Sequence, residues 1–264
     1  MKRRIFILSL VFIMLFSVNS LTLAEKNYVP NNLEHFSDLI KRISFGGSVS
    51  QMSLNMPKYS PKNTDFILNS FNDYLEDKTE GFDNYLKESK ESKEKELVQH
   101  YYATKYSKKI KTLIKEMEFI GQDSMCYFKF SPFEFTTNSE GELGLIYYTG
   151  NTVTYNTLQT SAKSRAKITV EENLLSMSNI MYKVLKDTDI DFYITGNFYN
   201  TRDFQLDNTL LNEPEVTFLS VTKEVMKSYS NLEISDTELI KKGNIYNKNK
   251  SMESDSIRKI DLTI

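Results

Sequence analysis

The chain has 264 residues, enough for one large domain or two small ones. Hydrophobic residues make up 40% and charged residues 26%, a balance that favours a packed core over disorder. With 9 glycines, 5 prolines and a formal net charge of −2, the composition excludes a collagen-like chain and provides no basic excess for nucleic acid.

Residues 1–24 have the layout of a secretory signal. Lys2, Arg3 and Arg4 precede an apolar run at 5–18, and Ala24 closes a short polar segment that resembles a cleavage site. We therefore predict cleavage after Ala24. The alternative is a leader that stays attached as an anchor, because about 20 residues are enough to cross a bilayer. Both interpretations place the rest of the chain outside the cytoplasm.

Removing the leader makes the chain more acidic. Lys and Arg fall from 33 to 30 while Asp and Glu stay at 35, so the net charge becomes −5. An acidic exported chain is not expected to bind nucleic acid, whose phosphates require a surplus of Lys and Arg. The single cysteine, Cys126, cannot form an intrachain disulfide, so the fold must rest on its core.

The next two segments of the chain are expected to differ in how much regular structure they contain. Residues 25–62 are rich in turn sequences and are expected to be loosely organised, with one short helical pattern at 33–43. Residues 63–121 form a helical region. Apolar residues recur there at helical spacing, and Gly121 is a natural stop. We predict two long helices with a break near Gly81 or within 87–95; one continuous helix is the alternative.

The charge run "KESKESKEKE" belongs to this helical region. Lys87 with Glu91 and Lys90 with Glu94 are spaced i,i+4, which supports an exposed helix. The basic residues that follow, such as Lys108, lie off the apolar stripe. Both runs therefore indicate a solvated helix face, although a surface for a partner helix stays open.

Residues 122–243 are predicted to form an α+β domain. Alternating patterns at 125–135, 143–148, 152–156, 189–199 and 215–221 indicate strands, the first three joined as two hairpins. Thr169 with Glu172 and Ser235 with Glu238 read as capping boxes at helix starts. We expect an α+β fold in which a helical region precedes an antiparallel sheet with helices packed on one face. Residues 244–264 are expected to be a frayed polar tail.

Few residues suggest catalysis or metal binding. His35 and His100 are far apart in sequence and lack a zinc motif, so no metal site is predicted. Cys126 with His100 could make a nucleophile–base pair. However, the alternating pattern places Cys126 on the same strand face as Phe128 and Phe130, which predicts a buried structural thiol.

Two further patterns resemble known sites but are incomplete. Ser220 and Lys223 in "SVTK" match a serine-enzyme pattern, without its companion motifs at the required separation. Asp187, Asp189 and Asp191 imitate the start of a calcium loop that lacks its glycine and its final Glu. No catalytic, cofactor-binding or metal-binding residue is therefore predicted.

The sequence favours an exported protein that acts by binding or assembly, in the cell envelope or outside the cell, and not by catalysis. A protein partner contacted through the helical region is expected, and membrane contact only if the leader is kept. One alternative is a membrane-anchored accessory subunit of an envelope transport assembly. The other is an extracytoplasmic hydrolase whose site the sequence does not reveal.

Overall fold

The computed structural model describes residues 33–36, 38, 63–76, 90–121, 123–124, 132–202, 213–248 and 258–262. The predicted leader, Cys126 and most of the segment 25–62 lie outside these residues. So do the side chains of the charge run. Among the helices in the described ranges, none combines the length and the apolar character that crossing a bilayer requires.

The helical region contains three helices in the described residues: α1 (Asn63–Glu76), α2 (Lys90–Lys105) and α3 (Ser107–Phe119). The expected second helix is interrupted at Tyr106, where φ is −105° and ψ is 14°. The Tyr106 ring is buried, with its centroid 5.8 Å from that of Phe135, and its hydroxyl donates to Asp189. The predicted stop at Gly121 is confirmed, with φ of 75° and an N–H bond to the Glu118 carbonyl at 2.8 Å.

The described residues form one sheet of seven strands. Its strands are β1 (Asp123–Ser124), β2 (Phe133–Thr137), β3 (Leu143–Asn156), β4 (Phe192–Arg202), β5 (Glu213–Thr222), β6 (Asn244–Lys248) and β7 (Arg258–Lys259). The lateral order is β1-β3-β4-β5-β6-β7, and β2 also pairs with β3. Because β6 and β7 belong to the sheet, the expected frayed tail is wrong for these residues.

The sheet is mixed, where the sequence predicted an antiparallel one. The hairpin of β2 and β3 is confirmed for the described residues, whereas 125–131 of the predicted first strand lie outside them. The second hairpin is wrong. Gly150 lies inside β3, where the register shifts between Gly150 and Thr154 without a turn. β3 and β4 run parallel because a helical crossover joins them, whereas the other neighbouring strands are antiparallel. The α+β fold class is confirmed.

The crossover consists of α4 (Ala162–Thr169), a π-helical turn (Val170–Leu174) and α5 (Leu175–Leu185). The capping box predicted at Thr169 and Glu172 is wrong. The helix already starts after Ser161, whose hydroxyl accepts a bond from the Ser164 amide at 3.1 Å, and Thr169 is buried inside it. After β5 follow α6 (Lys223–Ser230) and α7 (Asp236–Lys242). The capping box of Ser235 and Glu238 at the start of α7 is confirmed.

The described helices cover one face of the sheet, as predicted. Across that face α3 packs near β1, α5 on β4, α6 on β5 and α7 on β6. The opposite face is buried as well and forms a second apolar cluster, against which Phe36 and Tyr246 pack. Its members are Ile146, Tyr148, Phe192, Ile194, Phe198, Val216 and Phe218. The side chains on both faces of the central strands are therefore buried, and the helices cover one of these faces.

Candidate functional site

The histidines that the sequence singled out make separate contacts. His35 is exposed, and its backbone forms a bridge with Thr137 at the edge of β2. His100 is half-buried in α2, with its ring centroid 5.2 Å from that of Tyr74. No group of three or more His, Cys, Asp or Glu side chains in the described ranges is placed to hold a metal ion.

Ser220 and Lys223 have different structural roles. Ser220 lies within β5, paired with Ile194 on one side and Asn244 on the other. Lys223 opens α6, and its Nζ donates to the Thr188 carbonyl at 2.5 Å. The ammonium group is therefore held by the loop before β4.

The acidic triplet lies in that same loop and does not form a calcium cradle. The Asp189 carboxylate accepts bonds from Lys105, at 2.8 Å, and from the Tyr106 hydroxyl. The Asp191 amide donates to the Leu143 carbonyl at 2.7 Å, and burial raises the pKa of the Asp191 carboxyl group. These contacts fasten α2 and β3 to the start of β4.

A buried polar cluster lies between α4 and the sheet. It consists of Arg165, Tyr199, Glu215, Thr217 and Asn247, all facing the helices. The Arg165 guanidinium binds the Glu215 carboxylate through two donors, Nε at 2.9 Å and Nη2 at 2.6 Å. The two side chains are only 6% and 3% exposed. Bidentate geometry of this kind is the strong form of an Arg–carboxylate contact.

The rest of the polar cluster is a hydrogen-bonded ring of neutral groups. Asn247 Nδ2 lies 3.0 Å from the Tyr199 hydroxyl and 2.9 Å from Thr217 Oγ1, and Tyr199 and Thr217 are 3.2 Å apart. Burial raises the pKa of Tyr199, with a further contribution from the Glu215 charge. At neutral pH the phenol is therefore protonated and acts as a hydrogen-bonding group.

Polar side chains continue from the polar cluster toward α5 along the same face. Asn197 Nδ2 donates to Thr149 Oγ1 at 2.9 Å, and the hydroxyls of Ser178 and Thr195 are 3.1 Å apart. The π-helical turn packs over this part of β4 and β5. Turns of this type often occur at functional sites, which makes this face of the sheet the candidate functional site.

The chemistry of this face favours structure over catalysis. The Glu215 carboxylate is neutralised by Arg165, and Arg165 also donates to the Thr160 carbonyl. An acid–base catalyst needs a group that can exchange its proton with a substrate. In the polar cluster the charged groups are instead bound to each other inside the protein.

The polar cluster is not predicted by the sequence pattern. Glu215 and Thr217 alternate with Val216 and Phe218, so the pattern favours a solvent-facing side for the polar residues. The structure places that side beneath α4, where Arg165 meets Glu215. The available signal was Arg165 itself, since arginine is rare in this chain and is the residue best suited to a buried carboxylate.

The helical region uses its apolar stripes internally. Ile67 and Phe71 of α1, Val98 and Tyr102 of α2, and four residues of α3 are buried in the core; the four are Ile110, Leu113, Ile114 and Met117. A partner would therefore meet only the outer faces of these helices. Two large apolar side chains on the surface are nearly fully exposed, Phe119 at 87% and Leu232 at 91%.

No family model, no curated protein and no solved structure matches this chain.

Proposed function

We propose that the protein is exported and acts by binding or assembly in the cell envelope or outside the cell, without catalysing a reaction. The leader-like residues 1–24 support the export part of this proposal. The observation that carries the binding part is the use of the buried polar groups. In the fold Arg165 binds Glu215 and Asn247 binds Tyr199, so these polar groups serve the protein's own stability.

The exposed apolar residues point in the same direction. Aromatic side chains, Phe among them, are enriched in the buried core of protein interfaces. Phe119 lies at the end of α3 in the helical region, which the sequence analysis named as the partner surface. Because the inner stripe of α3 is buried, its outer face is the part left for a partner.

Export is tested by sequencing the N-terminus of the extracytoplasmic form. We expect it to begin at Glu25, as cleavage after Ala24 requires. Recovery of an intact Met1 or Lys2 in the membrane fraction would contradict cleavage. It would favour the membrane-anchored accessory subunit.

The absence of catalysis is tested with two sets of variants in the phenotype that deletion of the gene produces. One set replaces His100, Cys126, Ser220 and Lys223 singly with alanine, and we expect these variants to keep activity if they fold. The other reverses exposed charges of the helical region, for example Lys108→Glu, and is expected to weaken function. Loss of activity in a folded His100→Ala or Cys126→Ala variant would overturn the proposal and favour the hydrolase.

A further inference from the structure

The outer edge of β2 is closed at Phe135 by a side chain instead of a strand. The Gln99 carboxamide donates from Nε2 to the Phe135 carbonyl at 2.7 Å, and its Oε1 accepts the Phe135 amide at 2.8 Å. Gln99 lies in α2, 36 residues earlier in the chain. One side chain therefore makes both of the hydrogen bonds that a neighbouring strand would make to this residue.

The pairing of β2 with β3 shows that these two groups of Phe135 point away from the sheet. In an antiparallel pair, residues that bond the neighbouring strand alternate with residues whose N–H and C=O point outward. The Asn138 amide, directly after β2, donates to the Glu142 carbonyl across the hairpin at 3.2 Å. The odd-numbered residues of β2 therefore point outward. Thr137 follows the same rule, since its amide donates to the Glu34 carbonyl at 3.2 Å.

The two bonds at Phe135 have the pattern of an antiparallel partner strand. In a hydrogen-bonded antiparallel pair, the two opposed residues exchange both N–H···O bonds. A carboxamide has the same donor and acceptor groups as a peptide unit, so Gln99 can take the place of the opposed residue. Residues 33–36 do not provide this pattern, because the bridge of His35 with Thr137 is parallel.

The β2 strand of a second copy fits this antiparallel position. Two copies related by a two-fold axis at Phe135 run in opposite directions, and each offers the other the same N–H and C=O groups. A partner strand and Gln99 therefore compete for one pair of backbone groups.

The contacts that hold α2 on this edge converge on Phe135. Besides the two bonds from Gln99, the Tyr102 ring lies with its centroid 5.3 Å from that of Phe135. Residues 90–96 of α2, with the sequence KESKEKE, contain no apolar side chain, and the buried residues Val98, Tyr102 and Ala103 all follow them. The non-helical geometry at Tyr106 separates α2 from α3. Loss of the Gln99 bonds therefore weakens the attachment of one separate helix.

We propose that Gln99 blocks self-association of this protein by closing the β2 edge. When α2 is released from Phe135, this edge pairs with the β2 edge of a second copy. Unpaired N–H and C=O groups at a sheet edge are a template for another strand, and a covering helix is one means of preventing such pairing. Because both copies use the same edge, the product is a symmetric dimer. The blocking role is independent of the proposed function.

The first test removes the carboxamide. The full chain is expressed with its leader, and the exported form is studied by size-exclusion chromatography with light scattering. We expect Gln99→Ala to form dimers, with association about tenfold or more tighter than in the wild type, because two hydrogen bonds no longer hold α2. Gln159→Ala, at an exposed glutamine away from β2, is the matched control and should behave like the wild type. Equal association of Gln99→Ala and wild type would overturn the inference, whereas the export and phenotype tests would be unaffected.

Hydrogen exchange at the Phe135 amide distinguishes a blocking role from a merely structural one. At low protein concentration, this amide should exchange about tenfold faster in Gln99→Ala than in the wild type, because its acceptor is gone. At higher concentration the exchange should slow again, since a second copy then accepts the amide. Fast exchange that does not depend on concentration would overturn the inference.

Gln99→Glu keeps the test valid if the alanine variant does not fold. Glutamate has nearly the same shape, and its carboxylate accepts the Phe135 amide but cannot donate to the Phe135 carbonyl. One of the two bonds is lost, so we expect dimers at a level between wild type and Gln99→Ala. A Gln99→Glu protein that circular dichroism shows to be folded, and that associates no more than the wild type, would overturn the inference.

Discussion

Two parts of the helix-facing side of the sheet are stabilised by different kinds of side-chain contact. Where α2 and the following residue Tyr106 meet β2, the contacts are aromatic: the rings of Tyr102, Tyr106, Phe133 and Phe135 have neighbouring centroids 5.3 to 6.3 Å apart. Where α4 meets β4, β5 and β6, the contacts belong to the polar cluster. The first part is stabilised by removing apolar surface from water, and the second by hydrogen bonds that must all be present.

This difference predicts how each part responds to mutation. Aromatic packing loses stability in proportion to the surface and volume removed. A buried polar network loses most when one partner is deleted and the other is left without its bond.

The largest effect is expected at the buried ion pair. Glu215→Ala leaves the Arg165 guanidinium buried without its carboxylate, which should lower the free energy of unfolding by about 3–5 kcal/mol. The matched control is the double variant Arg165→Met with Glu215→Leu, which removes both charges and should lie within about 1–2 kcal/mol of the wild type. Urea denaturation followed by circular dichroism measures both. An equal loss in the single and double variants would contradict this view of the polar cluster.

The second-largest effect is expected at alkaline pH, which should lower the free energy of unfolding. Burial raises the pKa of Tyr199 and Tyr193 above the ordinary value of 10.0, so the unfolded chain loses these protons first. The stability that the neutral phenols provide is therefore complete below pH 10 and declines as the pH rises above it. The urea midpoint should fall between about pH 10 and pH 12. In Tyr199→Phe the fall should be shallower, and an unchanged midpoint across this range would contradict the prediction.

Two tyrosines on one strand provide a matched pair of intermediate effect. The Tyr199 hydroxyl bonds Thr217 and Asn247, whereas in the described residues the Tyr193 hydroxyl makes no hydrogen bond. Tyr199→Phe should cost about 1–2 kcal/mol, and Tyr193→Phe should change stability by less than about 0.5 kcal/mol. Thermal unfolding of the two variants measures the difference, and equal losses would show that the hydroxyl bonds are not what distinguishes them.

The smallest effect is expected at an exposed ion pair. Lys105 and Asp189 lie 2.8 Å apart, but their side chains are 39% and 63% exposed. Lys105→Ala should therefore cost no more than about 1 kcal/mol, and this cost should shrink as salt is added. Urea titrations at low and high salt test it. A cost comparable to that of Glu215→Ala would mean that burial does not set the strength of these pairs.

Local patterns in the sequence predicted most of the elements correctly. The apolar periodicity of 63–76 and 107–119, the stop at Gly121 and the capping box of Ser235 and Glu238 are all found in the structure. These signals depend on residues within one or two turns of each other, so they can be recognised without knowing the rest of the fold. The capping box at Thr169 failed because Ser161 offers an earlier helix start, and a local pattern does not rank two such starts.

Only the tertiary structure decided how the strands combine. Gly150 lies in a segment of turn-forming residues, yet β3 continues through it, because β4 pairs with β3 on both sides of the irregularity between Gly150 and Thr154. In the same way, alternation in β4 and β5 separates two sets of side chains without stating which set faces the helices. Packing placed the polar set beneath α4, where Arg165 neutralises Glu215, and buried the apolar set on the other face.

The sequence by itself thus determined the helices, the strand periodicity, the α+β class and the absence of a recognisable catalytic motif. These depend on spacing and on local hydrogen bonds. The parallel pairing of β3 with β4 and the polar cluster arose only in three dimensions. Their residues are separated by tens of positions in the chain and meet through the packing of the helices on the sheet.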